Sequence, residues 1–336
     1  MKPKWIFMVL AGLMILSIFS TSQGADKFYF GSYGGIERAY MLKDSLKFNI
    51  IEGQINSSNI DSLADGSLRG IVHAVGDSGP TDWAWKSHYT LWEAEGLLGS
   101  WVNLQYADWG TLVNDASASG GKAMRFIGPG TPDTIQRGPS YYQELGDTAN
   151  PIKYTAEFRL KYLLYTPRGA MGSGPPTPVC RIMVVDTVHH SILKDRILYI
   201  RDFSGGGGGY QRFKLENYTV PASNEIEFQI EWFGQMGSLY IDYVKVYDQN
   251  GEVLMSGQKD QDIIDYVSQS WVTTLNAEGD TVVYRWYGRD EPPSIDLYMP
   301  HKYIDSLLGE VSTERVGMQV YNLLSKPDQV FDGKRR

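Results

Sequence analysis

Two stretches, Leu91-Trp-Glu-Ala-Glu-Gly96 and Leu239-Tyr-Ile-Asp-Tyr-Val-Lys-Val-Tyr247, bracket the middle of the chain, and both read as strands. Glu93 and Glu95 are two residues apart, so on a strand they share a face. Asp242 is the one carboxylate in an otherwise apolar and aromatic strand, and a lone buried charge is costly enough to demand a partner. If the two strands lie side by side, Glu93, Glu95 and Asp242 can converge on one hard cation. Calcium, which takes about six to eight oxygen ligands, is the natural candidate. On their own Glu93 and Glu95 also read as solvated strand charges; Asp242 at the far end favours the metal.

Between the brackets the sequence is nearly all β, over residues 91–258. Tyr154–Tyr162 alternates, as does Ile226–Trp232, which turns Ile226, Phe228, Ile230 and Trp232 inward. Connectors rich in Pro and Gly separate the strands at Thr166–Pro178 and Gly205–Gly209, and Asp248-Gln-Asn-Gly251 is a hairpin-turn signal. This pattern predicts a β-sandwich.

Outside the block the rhythm changes. Strands are expected at Phe28–Tyr33, Phe48–Ile51, Leu68–Val75, Thr281–Tyr287 and Arg315–Tyr321. Helices are expected at Ile36–Leu46, at Asn59–Leu68, over Ile263, Ile264, Val267, Trp271 and Leu275 up to Gly279, and at His301–Val311. Gly76–Tyr89 reads as a loop. Alternating strands and helices argue for a parallel sheet covered by helices. The chain is therefore expected to be multidomain, with a β-sandwich inserted after the third strand of an incomplete α/β, (β/α)-barrel-like domain. The expected boundaries are a signal peptide at 1–24, the first barrel-like part at 25–89, the sandwich at 90–258 and the second barrel-like part at 259–336. Five strands are found where a closed barrel of this type has eight.

The E-A-E opening, Ser119-Gly-Gly-Lys-Ala-Met-Arg-Phe126 and the closing Y-I-D-Y-V-K-V-Y resemble the calcium-containing β-jelly-roll carbohydrate-binding modules of families 6 and 35. The resemblance spans residues 90–248. It implies a structural calcium held by Glu93, Glu95 and Asp242, and a polysaccharide or oligosaccharide as partner. A second resemblance concerns Gly288-Arg-Asp-Glu-Pro-Pro293, which follows the fourth strand. It is similar to the Asn-Glu-Pro or Asp-Glu-Pro signature of retaining glycoside hydrolases with a TIM barrel. By position this implies Glu291 as general acid/base, with Asp290 where many relatives have Asn. An acidic turn before a proline pair is the competing reading. Retaining hydrolysis needs a second carboxylate about 5 Å away, and no seventh strand supplies one, so the chain as given is expected to lack a competent active site.

Composition narrows the partners. The 336 residues include 42% hydrophobic and 13% aromatic residues and carry a formal net charge of −8. That charge argues against nucleic acid and against anionic membrane surfaces. Lys2 and Lys4, the apolar run Trp5–Phe19 and the small residues Ser22-Gln-Gly24 read as a secretion signal. The expected location is thus secreted, extracellular or on a bacterial cell surface, with no membrane attachment after cleavage. Cys180 is the single cysteine, so no intramolecular disulfide can form. Weaker candidates for substrate contact are His73, at the end of the third strand, and Trp83 and Trp85 in the following loop. The tryptophans read first as a plug between domains. Trp109, Tyr141, Tyr142, Phe203, Tyr210 and Phe233 are candidate sugar platforms on the sandwich. His189-His190 lacks a ligand partner at metal spacing, and the glycine run lacks the context of a phosphate loop.

Overall fold

The computed structural model describes residues 31–33, 50–53, 55–72, 79–94, 110–127, 134–143, 149–165, 177–203, 208–221, 225–233, 237–290, 295–311 and 318–321. The signal segment, the helix expected at 36–46, His73, Glu95, Trp109 and Glu291 lie outside these residues. The chain runs through β1 (Gly31–Tyr33), β2 (Ile50–Gly53), α1 (Ile60–Asp65), β3 (Arg69–Val72), α2 (Pro80–Lys86), β4 (Tyr89–Glu93), β5 (Gly110–Asn114) and β6 (Lys122–Ile127). It continues with β7 (Thr134–Tyr142), β8 (Tyr154–Leu164), β9 (Pro178–Asp186), β10 (Ser191–Tyr199), β11 (Gln211–Tyr218), β12 (Glu225–Trp232) and β13 (Gly237–Tyr247). The last elements are α3 (Gln249–Met255), α4 (Asp260–Val267), β14 (Val283–Asp290), α5 (Tyr298–Val311) and β15 (Met318–Tyr321). The described residues fall into two compact units, one within 1–82, 261–287 and 305–319, the other within 83–260, 288–304 and 320–336.

The first unit is built on a five-stranded sheet in the order β1-β2-β3-β14-β15. The pairs β1–β2, β2–β3 and β3–β14 are parallel. β14 therefore docks beside β3 although the whole β block separates them in sequence. Their contact is sealed by Ile71, Val72, Val283 and Trp286, all buried, and by Arg69, whose Nε donates to the Thr281 carbonyl at 2.9 Å. Helix α1 buries Ile60 and Leu63, and α4 buries Ile263 and Val267. Trp271 packs edge-on against Tyr266 and Trp286, and Tyr266 lies tilted against Trp286, with ring centroids 5.9–6.3 Å apart. Gly79 lies so close to Tyr266 that a Cβ there would stand 2.6 Å from the ring. Among the described residues the sheet is an open row of five strands and does not close into a ring.

Three local expectations differ from the structure. Residues 76–89 include a helix, α2. The helix expected to run from Asp260 toward Leu275 stops at Val267, where the Ser268 hydroxyl turns back onto the Ile264 carbonyl at 2.7 Å; such bonding competes with helix continuation. Gly279, with φ +81°, instead belongs to a tight turn closed by Asn276 N–H on the Asp280 carbonyl. Finally, Asp248-Gln-Asn-Gly251 starts α3 rather than a hairpin. The Asp248 carboxylate accepts from Gly251 N–H at 2.6 Å as an N-cap, and it also accepts from His88 N–H at 3.0 Å.

The second unit contains the expected β-sandwich. One sheet has the order β10-β9-β12-β7 and the other β11-β8-β13-β6-β5, with β4 also pairing β13. All the sandwich pairings are antiparallel. Inward positions of both sheets meet in one core that includes Trp92, Phe158, Leu160, Ile182, Val184, Phe228, Ile230, Trp232, Ile241 and Val244. Cys180 is buried in it, and burial pushes its thiol pKa up. The first and last strands of the block are neighbours, with Tyr89 opposite Tyr247 and Glu93 opposite Tyr243.

Candidate functional site

Asp242 sits where β13 slips register against β8, since Ile241 pairs with Leu160 but Tyr243 with Arg159. The extra residue breaks the alternation: Ile241 and Val244 are both core residues, while Asp242 and Tyr243 are not. Asp242 is nonetheless fully buried, at 0% exposure. Its carboxylate accepts from Ser119 N–H at 3.0 Å, from the Ser119 hydroxyl at 2.8 Å and from the Arg159 guanidinium. The Ser119 oxygen also lies 3.1 Å from Glu93 Oε1. Arg159 donates in addition to the Ser117 carbonyl at 3.2 Å and lies against the rings of Tyr210 and Tyr243. One step further on β8, Lys161 pairs with Asp115, which also accepts from the Tyr210 hydroxyl at 3.0 Å. The turn Asp115–Gly121 is thereby tied to the sheet through Asp115 on Lys161, Ser117 on Arg159 and Ser119 on Asp242.

Glu93 and Asp242, placed together from the sequence, are thus brought to one serine; Glu95 lies outside the described residues. The groups around Asp242 are hydrogen-bond donors, a guanidinium, an amide and a hydroxyl. A calcium ion needs oxygen lone pairs at about 2.3–2.6 Å, and here those of Asp242 are taken. Among the described residues no group of three or more His, Cys, Asp or Glu side chains is placed to hold a metal. The described donor set fits an internal ion pair, not the ion.

The other predicted positions separate. Trp83 is buried in α2, with Lys86 Nζ 3.8 Å from its ring centre and Lys259 at 5.5 Å, so its face is covered by protein cations. Trp85 is half-buried on the same helix. Asp290 is the last residue of β14. Tyr141 and Phe203 are core residues and cannot be sugar platforms, whereas Tyr210 and Phe233 are half-buried.

A surface missed by the sequence reading lies on the outer face of the four-stranded sheet. Strand registers place three rows across β10, β9, β12 and β7. The first row is Ile197, Arg181, Glu231 and Ile135; the second is Asp195, Met183, Gln229 and Arg137; the third is Ile192, Val185, Glu227 and Ser140. The centre is buried, with Met183 at 2% and Gln229 at 9% exposure, while Ile192 on the β10 side is 45% exposed and the Arg137 side chain on the β7 side is 58% exposed. The centre of this face is thus covered by its neighbours, and the polar side chains Arg181, Glu231, Glu227 and Arg137 form its accessible part. Arg181 Nε is 2.7 Å from Asp195 and its Nη1 3.6 Å from Glu231, Gln229 donates to Glu227, and Arg137 lies 4.0 Å from Glu227. The signal was present in the alternation of Glu225–Trp232, whose outward positions carry this polar row.

No family model and no curated relative matches the chain. Solved structures similar to it include CBM27-1 of Caldicellulosiruptor saccharolyticus in complex with mannohexaose, at 14% identity and TM-score 0.29, covering 47% of this chain and 95% of that one. A carbohydrate-binding module CBM36 in complex with calcium and xylotriose matches at 11% identity and TM-score 0.27, covering 47% and 98%. TmCBM61 in complex with β-1,4-galactotriose matches at 11% identity and TM-score 0.28, covering 48% and 88%. Similarities this low do not set the fold; the sandwich is established by its own strand pairings.

Proposed function

We propose that the protein binds a polysaccharide or oligosaccharide through the outer face of the four-stranded sheet. The observation that carries the reading is the outward polar row Arg181, Glu231, Gln229, Glu227 and Arg137, which the strand registers line up across the sheet. A neutral sugar offers a ring of hydroxyls. Ligand sites fix the orientation of what they bind with a few placed polar groups, and carboxylate, amide and guanidinium groups supply acceptors and donors in fixed geometry. The sequence resemblance to jelly-roll carbohydrate-binding modules supports the same class. The implied calcium is no part of this reading, because Arg159 already faces Asp242. The test is retention of the full chain on a panel of immobilised glycans. Binding is expected to fall at least tenfold in Arg181→Ala and Gln229→Ala without a change in melting temperature. A wild-type chain that retains no glycan ends the proposal.

A second reading adds a catalytic part, as in a glycoside hydrolase, to this binding unit. Its specific support is β14, which runs parallel to β3 and ends at Asp290 directly before Glu291, at the carboxyl end of a parallel strand, where open α/β sheets place their ligands. Here Glu291 would be the acid/base. Hydrolysis of any glycan on the panel, abolished by Glu291→Gln, is its expected signature; without it the protein is a non-catalytic binding or adhesion protein. We place either form outside the cell, on the basic, apolar and small-residue order of residues 1–24, and N-terminal sequencing of the exported protein after Gly24 checks this.

A further inference from the structure

We infer that Arg159 is the built-in cation of the Glu93–Asp242 pole, so that this sandwich keeps its shape without calcium at these carboxylates. The inference is independent of the carbohydrate reading and runs against what the family resemblance implies. A carboxylate as buried as Asp242 needs a compensating charge and hydrogen bonds to all of its demanding lone pairs. Arg159 supplies the charge, and Ser119 supplies an amide and a hydroxyl.

The arginine is also fixed in place. It stands on β8 opposite Tyr243, at the step where β13 gains its extra residue. Its guanidinium lies 4.9 Å from the Tyr210 ring centre and 5.8 Å from that of Tyr243, and it donates to the Ser117 carbonyl. Planar stacking and forked donation are what guanidinium does and a hydrated point charge does not. A calcium ion drawn to the same carboxylate oxygens would meet a fixed positive charge and N–H groups pointing at it. Lys161 on Asp115 repeats the arrangement two residues along the strand. Strand β8 thus supplies a cation to Asp242 and another to Asp115.

The experiment is thermal unfolding of the full chain after chelation, with millimolar calcium added back, for wild type and Arg159→Met. The wild-type melting temperature is expected to move by less than about 1 °C, since a site that is not occupied gives no linkage stabilisation. Arg159→Met is expected to melt roughly 10 °C lower, the shift that follows from stranding a buried carboxylate in a domain of this size. A wild-type protein that calcium stabilises overturns the inference, and so does an Arg159→Met variant that melts with the wild type. Should that variant not fold, Arg159→Lys keeps the charge and gives up the forked donation. A drop of a few degrees, insensitive to calcium, is then expected, and a calcium-dependent melting temperature overturns the inference.

Discussion

The two outer faces of the sandwich carry the same residue types and use them differently. On the six-stranded face each deep carboxylate has its own cation. Asp242 has Arg159 and Asp115 has Lys161. Glu157 has Lys245 at 3.2 Å, Arg212 at 3.6 Å and Lys214 at 3.9 Å, and accepts from the Tyr243 hydroxyl at 3.0 Å. On the four-stranded face Arg181 is shared between Asp195 and Glu231, and Arg137 stands mostly in solvent. Charges buried with dedicated partners hold a fold together. Charges that share a partner and are partly exposed can exchange it for a ligand hydroxyl at little cost to stability. One face is thus read as structural and the other as available.

The contrast breaks if the structural face proves dispensable. Arg159→Met leaves the buried Asp242 carboxylate without its cation, and removing one partner of such a pair costs about 3–5 kcal/mol. Urea unfolding of the full chain, followed by near-UV signal from the sandwich tryptophans, measures it. A loss below about 1 kcal/mol, the value for exposed pairs, would place Arg159 in the same class as Arg181 and dissolve the distinction.

The sequence made the sandwich legible because inward alternation in 154–162 and 226–232 is regular and turn-rich connectors separate the strands. The parallel alignment of β3 with β14 was also readable, from the return of the strand–helix rhythm after the block. Glu93 and Asp242 both approach the Ser119 hydroxyl, because β4 and β13 are neighbours, the arrangement on which their association in the sequence was conditional. Their counter-charge was not legible. Arg159 is one of several outward charges on β8, and no spacing in the sequence pairs that one with a carboxylate on β13, whose register against β8 is known only from the structure. The hairpin expected at 248–251 failed for a related reason. Asp-x-x-Gly serves a turn and an N-cap alike, and His88, far away in sequence, decides between them by binding the same carboxylate.

A smaller effect should separate the faces by pH. Burial alone would raise the Asp115 carboxyl, but bonds from Lys161, Ser117 and Tyr210 outweigh it and hold the group well below the usual carboxylate range. Its folded pKa therefore lies below the unfolded value of about 3.9. The stabilisation is complete above that value and is lost as the pH falls through the folded pKa. Melting temperature is expected to decline below about pH 4, and Lys161→Met should flatten that decline while lowering the neutral plateau by about 2 kcal/mol, the worth of a hydrogen bond to a charged group. An acid limb unchanged by Lys161→Met would mean that Asp115 is not the group being titrated.

The smallest expected effect is the most discriminating. Arg181 has a 30% exposed side chain and its partner Asp195 a 37% exposed one, so each can return to water when the other is removed. Arg181→Ala should then cost less than about 1 kcal/mol in unfolding measurements, while weakening glycan retention by tenfold or more. A group that costs little to remove from the fold and much to remove from binding is one that spends its hydrogen bonds on the ligand. If instead Arg181→Ala destabilises as strongly as Arg159→Met, the polar rows of the four-stranded sheet are cross-strand glue, and the sugar site must be sought at the loop-bearing ends of the sandwich.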